Sequence, residues 1–272
     1  MTELHPAFID EPPPRRVDKI VVVLPAYRAA RTLEVTVGAV PTDPRVEFLL
    51  VDDHSPDDTL EAAKKLGIRA VRHERNLGYG GNQKTCYSLA LEMGADIVVM
   101  LHPDYQYDPR VVPTMAEFIR LNICDVVLGS RIRSRREAVA CGMPRWKYLA
   151  NRMLTMTENL VLGQNLGDFH TGYRAYAREV LEQIPWQANS DDFVFDSQFL
   201  AQVAYFGFRM SDVPVPCRYF KEASSINFRR SLRYGLLTVW TLAQFTCAKL
   251  RLARLRIFTP KPAAATPAAA RE

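Results

Sequence analysis

Met-Leu-His-Pro-Asp-Tyr-Gln-Tyr-Asp-Pro, residues Met100–Pro109, is the stretch on which the interpretation of this chain depends. It continues the apolar run Ile97–Leu101, which is typical of a strand buried in the middle of a parallel sheet. His102, Asp104 and Gln106 then alternate, so in an extended segment their side chains point to one side. Ligands of open α/β sheets bind just beyond the carboxyl ends of strands, and this is such an end. The competing interpretation is a polar turn punctuated by two prolines.

Similar apolar runs precede this stretch and alternate with segments of helical character. They cover residues 19–24, 48–51 and 68–73, and helices are predicted over 29–40, 60–66 and 83–93. Strands that alternate with helices indicate βαβ units, hence an α/β fold with a mostly parallel sheet. Further along, 126–131 predicts another strand, and 208–215 predicts an edge strand because it contains proline. The loops at the carboxyl ends of the parallel strands therefore face one side.

Those loops carry the polar chemistry. Asp52 and Asp53 directly follow a buried strand, where carboxylates can accept hydrogen bonds from a ribose or a base edge. Helix capping by neighbouring residues is the structural alternative. The glycines of residues 78–81 would let a ligand approach the backbone, and the following helix offers free N–H groups. A glycine loop alone is weak evidence for a nucleotide.

Charged residues mark two later segments. A basic segment follows the strand at 126–131, and its guanidinium groups suit phosphate oxygens, although a charge run is usually a solvated face. It contains Arg131, Arg133, Arg135, Arg136, Arg145 and Lys147. Asp192 and Asp196 open a helix predicted over 196–206, where acids also suit the helix dipole.

Composition limits the class of protein. With 48% hydrophobic and 24% charged residues, the chain has enough apolar material for a real core. The five cysteines are widely spaced and lack CxxC pairs, which indicates a reducing environment and argues against a zinc site. We interpret residues 1–16 as a disordered arm that resembles no targeting signal, 17–228 as the catalytic domain, 229–258 as a basic amphipathic helix and 259–272 as a disordered tail.

Taken together, the motifs resemble those of family 2 glycosyltransferases, within them the dolichyl-phosphate mannosyltransferase-like group that acts on polyprenyl phosphates. The likeness runs in order through Val22–Tyr27, Val51–Thr59, Asn76–Gly81, His102–Gln106 and Gly129–Arg131. The resemblance implies a GT-A fold, in which a nucleotide-sugar-binding sheet is joined to an acceptor-binding half. It implies a nucleotide-sugar site at Pro25, Ala26, Tyr27, Asp52, Asp53, Asn76, Gly80 and Asp104. It implies phosphate or acceptor contacts at Arg131, Lys147, Arg174, Lys221 and Ser225.

Two departures from the family pattern concern the metal and the acceptor. The family usually has Asp-x-Asp where this chain has His102-Pro103-Asp104, so a histidine replaces the first carboxylate. The expected metal ligands are His102, Asp104 and Gln106. Mg²⁺ takes few protein ligands and relies on substrate phosphates and water, whereas an imidazole suits Mn²⁺ better. The group also tends to have a basic residue after the serine, and this chain has Ile226.

The implied reaction is inverting sugar transfer, with Asp104 and Arg131 stabilising the departing diphosphate. A polyprenyl-phosphate acceptor needs no strong base, whereas a hydroxyl acceptor would need Asp192 or Asp196 to take its proton. Two alternatives stay open at this point: transfer to a glycan or other hydroxyl, and nucleotide-sugar binding without transfer. No nucleic-acid partner is expected, and oligomerisation is left open.

The segment Tyr234–Ala248 bears on the partner, since it is uncharged but shorter than the roughly 20 residues that span a bilayer. Thr238, Thr241 and Gln244 form a polar stripe, and the other faces would be buried in protein or in the lipid interface. The apolar residues concerned are Leu237, Trp240, Leu242 and Phe245. Basic clusters on both sides would attract anionic lipid, so we predict a cytoplasmic enzyme attached peripherally to the inner membrane face. Packing on the domain or on a second subunit is the alternative.

Overall fold

The computed structural model describes residues 12–132, 134, 143–218 and 228–261. Its centre is a seven-stranded sheet in the order β3-β2-β1-β4-β6-β5-β7. The strands are β1 (Ile20–Ala26), β2 (Val46–Asp52), β3 (Arg69–Arg72), β4 (Ile97–Met100), β5 (Val126–Ser130), β6 (Arg174–Ala177) and β7 (Met210–Pro214). Both β1 and β4 are completely buried, as their unbroken apolar sequences predict.

Six strands of the sheet point the same way. β1 pairs in parallel with β2 and β4, β2 with β3, and β5 with β7. Only β6 among the described strands is reversed, since it is antiparallel to both β4 and β5. The carboxyl ends of β1, β2, β4 and β5 therefore lie along one edge, which we call the rim. This confirms the predicted α/β architecture, with β7 at the sheet edge.

Helices cover the sheet. They are α1 (Leu33–Gly38), α2 (Thr59–Lys65), α3 (Tyr79–Glu92), α4 (Val112–Arg120), α5 (Arg145–Leu162), α6 (Arg178–Gln183), α7 (Phe195–Tyr205) and α8 (Phe228–Lys249). α1 is shorter than the predicted 29–40, and α8 ends at Lys249 instead of 258. Two further helices also differ from the prediction. α3 begins at Tyr79, so the glycines after it are helical, and α4 was not predicted, although Val112, Met115 and Ile119 recur at helical spacing and are buried.

The C-terminal segment is packed on the domain. α8 buries Leu242, Phe245 and Ala248, and the chain then places Ile257 and Phe258 in the core. Thr238 and Thr241 are also buried, with hydroxyls that donate to backbone carbonyls one turn earlier in the helix. The predicted orientation is therefore wrong for these threonines, which face the protein. Trp240, predicted to be buried in protein or in the lipid interface, is exposed on the protein surface. No helix in the described part of the chain has both the length and the apolarity that crossing a bilayer requires.

Candidate active site

The ends of β1 and β2 begin the rim. Pro25 and Ala26 are buried in the last positions of β1, and the side chain of Tyr27 is half exposed beyond them. Asp52 is fully buried and accepts a hydrogen bond from the backbone N–H of Ser55 at 3.0 Å. Its second carboxylate oxygen lies 3.5 Å from Nε of Arg72. Of Pro25, Ala26, Tyr27 and Asp52, Tyr27 thus has the most exposed surface with which to contact a nucleotide base.

Asp53 organises the loop that follows β3. Its carboxylate accepts hydrogen bonds from the backbone N–H groups of Leu77 at 2.7 Å and Gly78 at 3.0 Å, and lies 2.8 Å from Nδ1 of His73. The amide of Asn76 donates to the carbonyl of Asp53. Asp53 and Asn76, both predicted to contact the nucleotide, therefore hold this loop against β2 through bonds within the protein.

The glycines of this loop are required by the protein's own packing. A Cβ on Gly80 would stand 2.4 Å from the carbonyl oxygen of Ser190, and one on Gly78 2.8 Å from that of Asp191. The N–H of Gly80 donates to the Asp191 carbonyl at 2.7 Å. The backbone of residues 190–191 therefore occupies the space beside these glycines. We had expected Gly80 to leave that space for a ligand.

The stretch Met100–Pro109 bends instead of remaining extended. Tyr105 has a positive φ of 57°, and the N–H of Gln106 donates to the Asp104 carboxylate at 3.0 Å. The prediction that His102, Asp104 and Gln106 share one side rested on extended backbone and is wrong in its geometry. The imidazole of His102 stacks on the Tyr79 ring, and its Nε2 lies 3.3 Å from the Tyr79 hydroxyl.

Asp104 is the acid of this turn. Burial raises the pKa of its carboxyl, against the charge of His102, and burial lowers the pKa of His102. Among the described residues no three His, Cys, Asp or Glu side chains cluster as a preformed metal site. A half-buried carboxylate at the rim fits a cation held mainly by substrate phosphates. The Nε2 of His102, turned towards Tyr79, does not fit that role.

Arg131 follows β5 on the same rim and is held by Asp168. Its Nε donates to one carboxylate oxygen at 2.8 Å and its Nη2 to the other at 3.2 Å, and Nη2 also donates to the carbonyl of His170 at 2.6 Å. Burial opposes ionisation of Asp168, but the charge and hydrogen bonds of Arg131, with help from Asn151, lower its pKa well below the usual range. This bidentate pairing with Asp168, which we call the fork, fixes the orientation of the Arg131 guanidinium.

Lys147, in the first turn of α5, completes a cationic pair with Arg131. Burial lowers the pKa of Lys147, and the positive charge of Arg131 lowers it further. The Asp168 carboxylate already offsets the charge of Arg131, so Lys147 adds positive charge beside an oriented guanidinium. The pair is therefore suited to bind a phosphate.

A second buried network lies behind the rim. Asp196 accepts hydrogen bonds from the Tyr79 hydroxyl at 2.8 Å and from the Gln83 amide at 3.2 Å, and it pairs with Nη1 of Arg174 at 2.8 Å. Arg174 is completely buried, so its predicted contact with a phosphate is wrong. Asp196 already has three partners and is a poor candidate for a base. Asp192, whose side chain is 50% exposed, is left in that role.

Other predicted residues cannot be placed. Lys221 and Ser225 lie outside the described residues, as do Arg133, Arg135 and Arg136. Conversely, Asp168 and His170 were given no role by the sequence analysis, although they stand in a polar loop between two glycines. His170 Nδ1 lies 2.9 Å from the Tyr234 hydroxyl, and its Nε2 lies 3.1 Å from the buried Glu158 carboxylate.

Comparison with known proteins gives a family match over most of the domain. The family model for glycosyl transferase family 2 matches residues 21–185. The chain is 30% identical over 203 residues to a dolichyl-phosphate hexose transferase of Haloferax volcanii, covering 74% of this chain and 83% of that protein. It is 28% identical over 204 residues to an undecaprenyl-phosphate mannosyltransferase of Micrococcus luteus, covering 72% and 82%.

Solved structures confirm the fold. The structure of glucosyl-3-phosphoglycerate synthase from Mycobacterium tuberculosis with uridine diphosphate superposes with a TM-score of 0.65 at 21% identity, covering 84% of this chain and 80% of that one. A complex of the same enzyme with Mn²⁺, uridine diphosphate and glucosyl-3-phosphoglycerate gives 0.63 at 20% identity, with the same coverage. The architecture is the GT-A fold.

Proposed function

The chain belongs to glycosyltransferase family 2, and from this membership and the geometry of the rim we propose that it transfers a sugar from a nucleotide-sugar donor to a polyprenyl phosphate. The named relatives that act on undecaprenyl and dolichyl phosphates support the acceptor class. The observation that supports the proposal is the bidentate pairing with Asp168 that orients Arg131 at the rim, where its charge also acts on Lys147. These two residues would meet an acceptor phosphate.

The reaction joins a phosphate oxygen of the acceptor to the anomeric carbon of the sugar. The bond from that carbon to the donor diphosphate breaks, and the nucleoside diphosphate leaves with the electron pair. Because the acceptor oxygen is already ionised, no side chain has to remove a proton from it. The engagement of Asp196 by Arg174, Tyr79 and Gln83 agrees with a site that needs no strong base.

Arg131 and Lys147 would orient the acceptor phosphate and lower the repulsion between it and the donor. The fork from Asp168 holds Arg131 in place while it does so. On the donor side, the half-exposed ring of Tyr27 would stack on the base of the nucleotide. Mg²⁺ or Mn²⁺, when bound, supplies positive charge to the departing diphosphate, and Asp104 is the residue that would hold it. We also propose that the protein works at the membrane surface, where such acceptors reside.

The direct test is transfer from UDP- and GDP-sugars to a polyprenyl phosphate in the presence of Mg²⁺ or Mn²⁺. Asp104→Asn should lower turnover by about 100-fold or more, because it removes the charge that holds the cation. Asp108→Asn is the matched control: it makes the same change in the same stretch, at a carboxylate that bonds Arg110.

Two results would overturn parts of this proposal. Unchanged turnover in Asp104→Asn would remove the cation from Asp104. Transfer to a hydroxyl acceptor that is lost in Asp192→Asn, with none to any polyprenyl phosphate, would replace the acceptor class.

A further inference from the structure

Two neighbouring helices, α5 and α8, expose large apolar side chains. We call this surface the apolar ridge, and it consists of Trp146, Leu149, Met153, Met156 and Leu160 on α5 and Leu232, Leu236, Val239 and Trp240 on α8. Within each helix these positions recur every three or four residues, so they form one stripe along it. Leu160 is 84% exposed and Leu236 is 64% exposed. A contiguous surface of this kind marks an interaction site.

The core does not need the apolar ridge. The opposite face of α8 already buries Leu242, Phe245 and Ala248, and the opposite face of α5 buries Thr155 and Leu162. The two helices also contact each other directly, since Leu154 lies 3.7 Å from where a Cβ of Gly235 would stand. The exposed side chains are therefore surplus to packing within the chain.

The charges around the apolar ridge are almost all positive. Together, the 18 residues of α5 and the 22 residues of α8 include one acidic residue, Glu158 of α5. It is buried, 3.1 Å from Nε2 of His170. Basic residues stand in the first turn of α5, at Arg145 and Lys147, and around both ends of α8, at Arg229, Arg230, Arg233, Lys249, Arg251 and Arg254. In the middle of α5, Arg152 donates to the carbonyl of Gly167. An apolar stripe with basic residues at the start of α5 and at both ends of α8 matches an anionic bilayer, with its apolar interior and its negative headgroups.

The apolar ridge also starts at the reaction rim. Trp146 of the ridge and Lys147 are adjacent in the first turn of α5, so one end of the ridge carries the lysine that the proposed function assigns to the acceptor phosphate. Leu149 follows two residues later on the exposed side of the same helix. A lipid whose phosphate lies at Lys147 would thus keep its hydrocarbon chain in the bilayer on which the ridge rests. This step rests on the proposed function, whereas the apolar and charged pattern does not.

We propose that the apolar ridge is the surface by which the protein docks on an anionic lipid bilayer. α5 and α8 lie in the plane of the interface, with their apolar side chains among the acyl chains. The basic residues at the start of α5 and at both ends of α8 lie at the headgroups. Docking in this orientation brings the pair of Arg131 and Lys147 to the level of the lipid phosphates. The enzyme would then take its acceptor from the bilayer without extracting the hydrocarbon chain into water.

The test measures binding of the full chain to vesicles of phosphatidylcholine with and without phosphatidylglycerol. Met156→Glu combined with Leu236→Glu places one charge on each helix and should weaken binding to the anionic vesicles at least tenfold. Leu121→Glu combined with Ile123→Glu is the matched control, because it makes the same change at exposed apolar residues far from the ridge in sequence. The control should bind as the wild type does.

Activity separates this proposal from the proposed function. With a short, water-soluble polyprenyl phosphate and no vesicles, the ridge variant should transfer sugar at the wild-type rate. With a long-chain acceptor in anionic vesicles it should be slower by at least tenfold. If no polyprenyl phosphate is glycosylated but vesicle binding still depends on the ridge, the proposed function fails and docking stands.

Two outcomes would overturn the docking proposal. In one, the ridge variant binds anionic vesicles as tightly as the wild type does. In the other, light scattering finds that the wild type is a dimer and the ridge variant a monomer, with vesicle binding unchanged, so that the ridge joins two copies of the chain.

Discussion

The surroundings of Lys147 lower the pKa of its ammonium group. Burial and the charge of Arg131 both lower its pKa, so it loses its proton at a lower pH than an ordinary lysine. If it binds the acceptor phosphate, binding must weaken as the pH rises towards that lowered pKa. We expect the KM for the acceptor to rise with pH in the wild type, and to stay flat over the same range in Lys147→Arg, whose guanidinium keeps its charge.

The size of this contribution can be measured by deletion. Lys147→Met should raise the acceptor KM by about ten- to a hundredfold, the range for losing a hydrogen bond to a charged group. Lys64→Met, which removes an exposed lysine paired with Glu61, should leave it unchanged. A KM for the acceptor that Lys147→Met does not alter would exclude Lys147 from the phosphate site.

The protonation of His170 makes the stability of the protein fall as the pH rises. Burial lowers its pKa, but the carboxylates of Glu158 and Asp168 outweigh this, so its folded pKa lies above 6.5. Protonated His170 therefore contributes stability that is fully present below pH 6.5 and is lost as the pH rises through the raised pKa. The difference in Tm between wild type and His170→Gln should shrink over that window. His54→Gln, at an exposed histidine, should show no such trend.

Single residues differed in how well the sequence predicted them. Arg131 and Lys147 were predicted because basic residues after a strand end are visible in the sequence, and in the structure the charge of Arg131 acts on Lys147. Their contact with a phosphate stays a prediction. Arg174 looked equally basic, yet it is buried with Asp196, a contact between residues more than 20 positions apart that no local pattern reveals. Asp168 was missed for the same reason, since its partner Arg131 is 37 positions away.

At the scale of elements, the start of α3 depends on a close approach between two backbones. Gly80→Ala would force its Cβ against the carbonyl of Ser190 and should destabilise the protein by about 1–3 kcal/mol, as overpacking does. Gly38→Ala, at the end of α1 with no atom within 4 Å of the added Cβ, should instead stabilise it by about 0.4–1 kcal/mol. Urea denaturation of both variants gives the comparison. Equal stabilities would mean that residues 190–191 move away without cost.

Strands were predicted better than the segments between them. The apolar runs of β1, β2, β4 and β5 are buried. A strand buried on both faces of a parallel sheet has a nearly continuous apolar sequence, so it can be predicted from the sequence alone. The turn after β4 was wrong because the alternation of His102, Asp104 and Gln106 imitates a strand. Its bend depends on the positive φ of Tyr105 and on the bond from Gln106 to Asp104, which side-chain periodicity does not encode.

At the scale of the whole molecule, β6 is where the two halves of the sheet meet. It runs against β4 on one side and β5 on the other, and it carries Arg174. That guanidinium pairs with Asp196 on α7, which in turn bonds Tyr79 and Gln83 on α3. The buried pair of Arg174 and Asp196 thus links the half of the sheet with β1, β2, β3 and β4 to the half with β5 and β7. Arg131 follows β5 in that second half.

Asp196→Asn should therefore weaken the fold as a whole, because it leaves the Arg174 charge buried without an opposite charge. Breaking a buried pair in this way costs about 3–5 kcal/mol. Asp192→Asn, at a half-exposed side chain in the same segment, should change the free energy of unfolding by less than about 0.5 kcal/mol. Thermal unfolding of both variants would measure this difference. If Asp196→Asn kept full stability and lost only transfer, Asp196 would be a catalytic base after all, and the acceptor would have to be a hydroxyl whose proton it removes.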